Sequence, residues 1–254
     1  MITAYHRPKT LEEALSLLAQ ANTLPLGGGT WINSPAFRNR DAAVVDLQAL
    51  GLTHIRKHGH ALEIDACVTL ESLRENAHAP DALRQAIHLE APLNLRNSAT
   101  VAGALVTCGG RSTFAAMMLA LDARLTVLDE NGTAASLSLG EYLPLRQLPG
   151  KLITRITIPL NVQTAFAYVA RTPSDLPLVC AALARWNSGR TRLALGGYGQ
   201  APTLAMDGTE ADGLEPAARN AYHEAADDLA SAEYRRDVAT VLTHRCFEAV
   251  ENRQ

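Results

Sequence analysis

Three consecutive glycines, Gly27, Gly28 and Gly29, are the feature that most constrains this chain. Because glycine has no Cβ atom, such a run lets another group approach the backbone closely. Consecutive N–H groups in such a turn can point into one concavity and bind an anion such as a pyrophosphate, and Thr30 adds a hydroxyl donor. A tight turn or a helix C-cap is the structural alternative, since glycine is common in both.

A second segment favours the ligand-binding interpretation. Residues 94–104 read Asn-Leu-Arg-Asn-Ser-Ala-Thr-Val-Ala-Gly-Ala, and we predict a loop of small residues with hydroxyls, amides and one arginine. Two loops of this kind suggest a long ligand that is held at two points.

Composition excludes several classes of function. The net charge of −3 and the low aromatic content argue against nucleic-acid binding. No basic segment followed by an apolar segment opens the chain, and no apolar run is long enough to span a membrane. We therefore expect a cytoplasmic globular protein.

Neither the cysteines nor the histidines form a recognisable metal motif. Cys67, Cys108, Cys180 and Cys246 are far apart in sequence and form no CxxC pair, so we expect buried free thiols and no iron–sulfur cluster or structural zinc. Three histidines at positions 54, 58 and 60 surround a predicted hairpin tip, where solvated side chains are the simpler interpretation.

The periodicity of apolar residues predicts an α+β fold. Thr10 and Glu13, and later Ser138 and Glu141, are spaced as helix-capping boxes. After Asn161 the pattern changes to strands followed by helices, which indicates a separate C-terminal unit. The predicted helices are 11–21, 69–75, 81–90, 114–121, 214–230 and 232–250. The predicted strands are 43–47, 53–57, 61–66, 124–129, 133–137, 152–159, 165–171, 178–186 and 190–198.

Several motifs, in this order and spacing, resemble the FAD-binding medium subunit of the molybdenum hydroxylases, the family of xanthine dehydrogenase and aerobic carbon monoxide dehydrogenase. Each motif is weak alone, and the match covers nearly the whole chain. The motifs are Arg-Pro-Lys-Thr-Leu-Glu-Glu-Ala at 7–14, Leu-Gly-Gly-Gly-Thr at 26–30, Arg-Asn-Ser-Ala-Thr-Val-Ala-Gly-Ala at 96–104, Leu-Ala-Leu-Asp-Ala at 119–123, the strand at 152–159 and the segment at 231–236.

The resemblance implies a two-part FAD-binding domain of the vanillyl-alcohol oxidase (PCMH) type over residues 1–160. A C-terminal α+β domain, with a three-stranded sheet plus helices, would span residues 161–254. It also implies flavin contacts from both glycine-containing segments and from three isolated positions. The implied cofactor-binding residues are Leu26, Gly27, Gly28, Gly29, Thr30, Trp31, Ile32, Thr100, Val101, Ala102, Gly103, Ala104, Thr113, Ile153 and Tyr168.

At five positions the chain departs from the family pattern. Trp31 replaces an acidic or polar residue, Ala102 a glycine, Ala104 an asparagine, Thr113 an aspartate, and Tyr168 (or Ala167) a lysine. The lost side chains would remove hydrogen bonds to the flavin, whereas the main-chain donors of both segments would remain. We therefore expect FAD binding to survive.

The implied function is that of an oxidoreductase subunit without catalytic acid, base or nucleophile of its own. FAD would carry electrons from a [2Fe–2S] small subunit to an external acceptor, and a molybdopterin-binding large subunit would oxidise the organic substrate. Two alternatives stay open: a flavin-free assembly subunit of the same fold, and a nucleotide- or phosphate-binding module that uses Gly27–Thr30.

Overall fold

The computed structural model describes residues 1–148 and 150–252. The chain divides into two compact units, and neither is continuous in sequence. The first comprises Met1–Ala77, Pro92–Thr107 and Arg124–Thr157, and the second comprises the remaining described residues. The predicted domains, 1–160 and 161–254, divide the chain by sequence rather than by packing, and they remain a prediction.

The first unit contains a three-stranded parallel sheet of order β1-β3-β2 and a larger sheet of order β4-β5-β8-β6-β7. Helix α1 packs on the small sheet through Ala14, Leu15 and Leu18, the apolar positions of its helical period. The strands of these two sheets are β1 (Ile2–His6), β2 (Thr23–Leu26), β3 (Ala42–Asp46), β4 (Ile55–His58), β5 (Ala61–Asp65), β6 (Arg124–Leu128), β7 (Ala134–Ser138) and β8 (Leu152–Pro159).

The second unit is built on an antiparallel sheet of four strands, in the order β12-β11-β10-β9. Helix α6 packs on one face of β10 and β11. Helices α8 and α9 form a hydrophobic core with the opposite face of these strands. The first six residues of β10 are all buried, because this strand is covered on both faces. The strands are β9 (Val162–Val169), β10 (Val179–Trp186), β11 (Thr191–Gly196) and β12 (Thr203–Gly208).

The helices in the described part of the chain begin at or close to predicted starts, with two exceptions in residues 93–107. Ser112 caps α6 by accepting from Ala115 N, and Ser138 with Glu141 forms the predicted capping box of α7. The helices are α1 (Leu11–Leu18), α2 (Leu70–Glu75), α3 (Asp81–Glu90), α4 (Leu93–Arg96), α5 (Val101–Thr107), α6 (Thr113–Ala120), α7 (Leu139–Leu145), α8 (Leu214–Ala221) and α9 (Ala232–Glu251).

Two predictions are corrected. The C-terminal sheet has four strands, not three, because β12 is a partly exposed edge strand whose sequence, Thr-Leu-Ala-Met-Asp-Gly, lacks a strong strand pattern. Residues 94–104 are not one loop: Thr100 Oγ1 accepts from Gly103 N and so caps a helix within the small residues, α5, while α4 precedes the break at residues 97–100.

Candidate functional site

The glycine segment leaves the parallel sheet where β2 ends. Leu26 still pairs with Asp46 of β3, and the chain then turns through Gly29, whose φ of +73° lies in the left-handed region. Asn33 closes the turn, since both its backbone N and its side-chain Nδ2 donate to Gly29 O, at 3.2 and 3.0 Å. Residues 27–32 are all half-buried, so the turn is neither a core element nor a free surface loop.

The backbone N–H groups of residues 27–31 are the unusual feature of this turn. Within residues 1–148 and 150–252, none of these five groups donates a hydrogen bond. Successive unpaired N–H groups in a turn form a concavity that favours an anion. We call residues 27–31 the donor turn.

The donor turn packs against the break between α4 and α5. A Cβ atom on Gly27 would lie 2.7 Å from Thr100 Oγ1, and one on Gly28 would lie 1.5 Å from Ser98 O. The second distance is impossible without a shift of backbone. These two glycines are therefore required for the contact between two segments of the protein, whatever the ligand does.

The second segment has few free donors. Val101 N donates to Val68 O at 2.8 Å and Ala102 N to Ala66 O at 3.2 Å, while Gly103 N and Ala104 N bond to Thr100. The expectation that the main chain of both segments is available to a ligand is therefore wrong for residues 101–104. The N–H groups of Val101 and Ala102 connect α5 to the residues that follow β5, and those of Gly103 and Ala104 bond to Thr100 at the start of α5.

A buried ion pair holds α4 in place just before this break. Arg96 Nε lies 2.5 Å from Glu71 Oε2, and both side chains are buried. Arg74 donates to the other oxygen, and the two guanidinium groups outweigh burial and lower the pKa of Glu71 to about 2. Sequence reasoning missed Glu71, although Arg96 is the one charged residue of residues 91–104 and so was a signal that an acid lies near it.

The donor turn and the start of α5 line a cavity of about 400 Å³ within the first unit. Its wall is mainly apolar, as is usual for cofactor sites. Eleven of the implied cofactor-binding residues line it, together with further residues of the described part of the chain. The implied group is Leu26–Ile32, Thr100, Ala102, Gly103 and Ile153, and the further group is Leu24, Pro25, Leu47, Ala66, Cys67, Val106, Thr107, Leu148, Lys151 and Leu152.

Two side chains in the cavity wall, Trp31 and Cys67, are defined by their surroundings: Trp31 by its contacts and Cys67 by its raised pKa. The Trp31 ring meets Phe37 edge-on, with 5.2 Å between centroids, and the Arg40 guanidinium carbon lies 5.5 Å from the Trp31 ring centroid. Burial, with the nearby carboxylates of Asp46 and Asp65, raises the pKa of the Cys67 thiol to about 11. Trp31 is thus a supported aromatic wall, and Cys67 is a neutral thiol at pH 7.

Four predicted residues do not line this cavity. Val101 is buried and Ala104 half-buried, both on α5. Thr113 is buried in the second unit, where its hydroxyl lies 2.7 Å from Ala86 O and 3.1 Å from Glu90 Oε2. Tyr168, also in the second unit, lies on β9 with its ring 6.2 Å from that of Phe166. Flavin contacts by these residues stay predictions.

Across the described ranges, no group of three or more His, Cys, Asp or Glu side chains is arranged to hold a metal ion. The same ranges contain no helix that combines the length and apolar character needed to cross a bilayer.

Comparison with known proteins extends these observations. Residues 1–161 match the protein family described as "FAD binding domain in molybdopterin dehydrogenase". The uncharacterized protein YgfM of Escherichia coli (strain K12) is 30% identical over 249 residues, which are 95% of this chain and 94% of that protein. The carbon monoxide dehydrogenase medium chain of Afipia carboxidovorans is 27% identical over 280 residues, 98% of this chain and 96% of that one.

A solved structure supports the fold. Reconstituted CO dehydrogenase from Oligotropha carboxidovorans contains a chain that superposes with a TM-score of 0.82 at 26% identity, covering 99% of this chain and 98% of that one. The predicted fold class, a two-part flavin-binding fold with a C-terminal α+β part, is confirmed.

Proposed function

Because this chain belongs to the family of FAD-binding domains of molybdopterin dehydrogenases, we propose that it is the flavoprotein subunit of a molybdenum hydroxylase, with FAD in the cavity of the first unit. The sequence motifs at 7–14, 26–30 and 96–104 predicted this family and FAD as its cofactor, and the family match confirms both. The family consists of oxidoreductase subunits.

The donor turn is the observation that carries the proposal. It offers five consecutive N–H groups without an acceptor in the described part of the chain, at the wall of a mainly apolar cavity. FAD combines an anionic diphosphate with a flat apolar ring system. The N–H groups of residues 27–31 would hold the diphosphate, while Leu26, Trp31, Ile32 and Ile153 supply apolar contacts.

The residues of the cavity bind and orient but do not carry out proton chemistry. When bound, FAD would accept electrons from a [2Fe–2S] subunit and pass them to an external acceptor. Cys67 and Lys151 are the ionisable side chains of the wall, and the thiol of Cys67 is neutral. The apolar wall would keep water from the cofactor, and the hydrogen bonds from Val101 N and Ala102 N hold the start of α5 in place beside it.

The partners follow from the family and from the relatives. Relatives are named as medium chains of dehydrogenases, and a medium chain implies a larger and a smaller subunit. We propose a molybdopterin-binding large subunit that oxidises the organic substrate and a [2Fe–2S] small subunit that donates to this chain. The cytoplasmic location expected from the sequence is part of the same proposal.

Reconstitution with FAD tests the proposal. The purified chain is incubated with FAD, riboflavin or ADP in separate samples, passed through a desalting column, and examined by its spectrum and by mass of bound ligand. We expect one FAD per chain, with flavin bands in the blue and near ultraviolet, and weaker retention of riboflavin. Retention of ADP without FAD would instead indicate a nucleotide-binding module, and retention of none would indicate a flavin-free assembly subunit.

A further inference from the structure

Lys151 is the one residue with a charged side chain among those that line the cavity in the described part of the chain. Its side chain is exposed, and its ammonium group has no hydrogen-bond or ion-pair partner within residues 1–148 and 150–252. The chain as a whole has a net charge of −3, so an anionic ligand gains nothing from the overall charge. A local cation would therefore matter for such a ligand.

The backbone of Lys151 is held firmly even though its side chain is not. Lys151 N donates to Leu128 O, at the end of β6, over 2.7 Å. The preceding Gly150 packs closely against the same carbonyl, since a Cβ atom on Gly150 would lie only 2.3 Å from Leu128 O. Leu152 and Ile153, which follow, are buried in the cavity wall. The backbone of Lys151 is thus fixed at the cavity wall, and its exposed side chain extends from there.

Resting on the proposed function, we propose that Lys151 is a positioning residue that pairs with the diphosphate of FAD. The diphosphate is the part of oxidised FAD that carries formal negative charge at neutral pH, and the other lining side chains are uncharged. A lysine ammonium is a compact point charge on a flexible stem, which suits it to pair with phosphate oxygens from an exposed position at the same cavity as the donor turn. Lys151 would act together with the donor turn, one supplying charge and the other oriented N–H groups.

Three variants separate this role from a structural one. Lys151→Met removes the charge and keeps much of the stem, Lys151→Arg keeps the charge, and Lys57→Met removes an exposed lysine of β4 that does not line the cavity. The dissociation constants of FAD and riboflavin are measured by flavin fluorescence at several salt concentrations. Urea unfolding of each variant checks that the fold is retained.

We expect Lys151→Met to weaken FAD binding about tenfold, as for loss of a charge-assisted hydrogen bond, and to flatten its dependence on salt. Riboflavin, which lacks phosphate, should bind as before, and Lys151→Arg should recover most of the affinity. An equal loss for FAD and riboflavin, an unchanged FAD affinity, or the same loss in Lys57→Met would overturn the inference alone. Failure of the unaltered chain to bind FAD would instead overturn the proposed function and the inference with it.

Discussion

A proline at position 30 would remove one N–H group from the donor turn without removing any hydrogen bond of the protein. Asn33 N donates to Gly29 O, four residues back, so Thr30 occupies the first position of a single helical turn. The N–H group at that position has no partner within a helix, and proline is well tolerated there. Thr30→Pro therefore tests the N–H group itself.

The size of the effect follows from the chemistry of the bond. A hydrogen bond to a charged group contributes about 1.5–3 kcal/mol, so its loss corresponds to an increase of about 10- to 150-fold in the dissociation constant of FAD. The free energy of unfolding should change by less than about 1 kcal/mol, because no internal bond is lost and proline restricts the unfolded chain. Binding and stability should thus respond very differently to one substitution.

The assay measures FAD affinity by fluorescence and stability by urea unfolding on the same preparations. Thr30→Val is the matched control, since it removes the hydroxyl but keeps the N–H group. Wild-type affinity in a folded Thr30→Pro protein would refute the role of the donor turn. An equally large loss in Thr30→Val would assign the contact to the hydroxyl instead.

The remaining predictions concern the support of the site and the partners. Glu71→Gln should lower the free energy of unfolding by about 3 kcal/mol at pH 7, as expected when one member of a buried pair is removed. The arginines lower the pKa of Glu71 to about 2, so the stability that Glu71 contributes is fully present above the ordinary pKa of a carboxyl group and should disappear as pH falls towards about 2. A stability difference between wild type and Glu71→Gln that stays constant over this pH interval would contradict an origin in the ion pair. The isolated chain should show background iron and no turnover of aldehydes, purines or aromatic N-heterocycles, and turnover at the rate of a complete complex would contradict its dependence on partners.

Local signals in the sequence were sufficient for most elements of the fold and for the family. The Ser138–Glu141 capping box predicted the start of α7, and the predicted strands 124–129 and 133–137 correspond to β6 and β7. The motif at 26–30 identified the turn that lines the cavity, and the resemblance of the strand at 152–159 to the family implied a flavin contact by Ile153, which lines the same cavity. These successes share one cause: each depends on residues that are neighbours in sequence.

Other features depend on contacts between distant residues, and these were missed. The pairing of Val101 N with Val68 O and the ion pair between Glu71 and Arg96 each join segments more than twenty residues apart. Lys151 was also missed, because nothing in its own sequence neighbourhood distinguishes a cavity lysine from a surface lysine. Apolar periodicity reports which face of an element is buried, but not which polar group on another segment it meets.

The glycines of the donor turn are needed for two different physical reasons, and each reason requires a different experimental test. Gly28 looks like a ligand-contact glycine in the sequence, but its missing Cβ makes room for Ser98 O of the protein itself. Gly28→Val would therefore force the two segments apart and lower stability along with flavin retention, so this substitution cannot isolate ligand binding. Gly29 needs its positive φ to make the turn, while its nearest neighbour to an added Cβ is 3.6 Å away. Glycine is thus required for packing at position 28 and for conformation at position 29, and the proposed capacity to bind an anion resides in the N–H groups that have no acceptor in the described part of the chain.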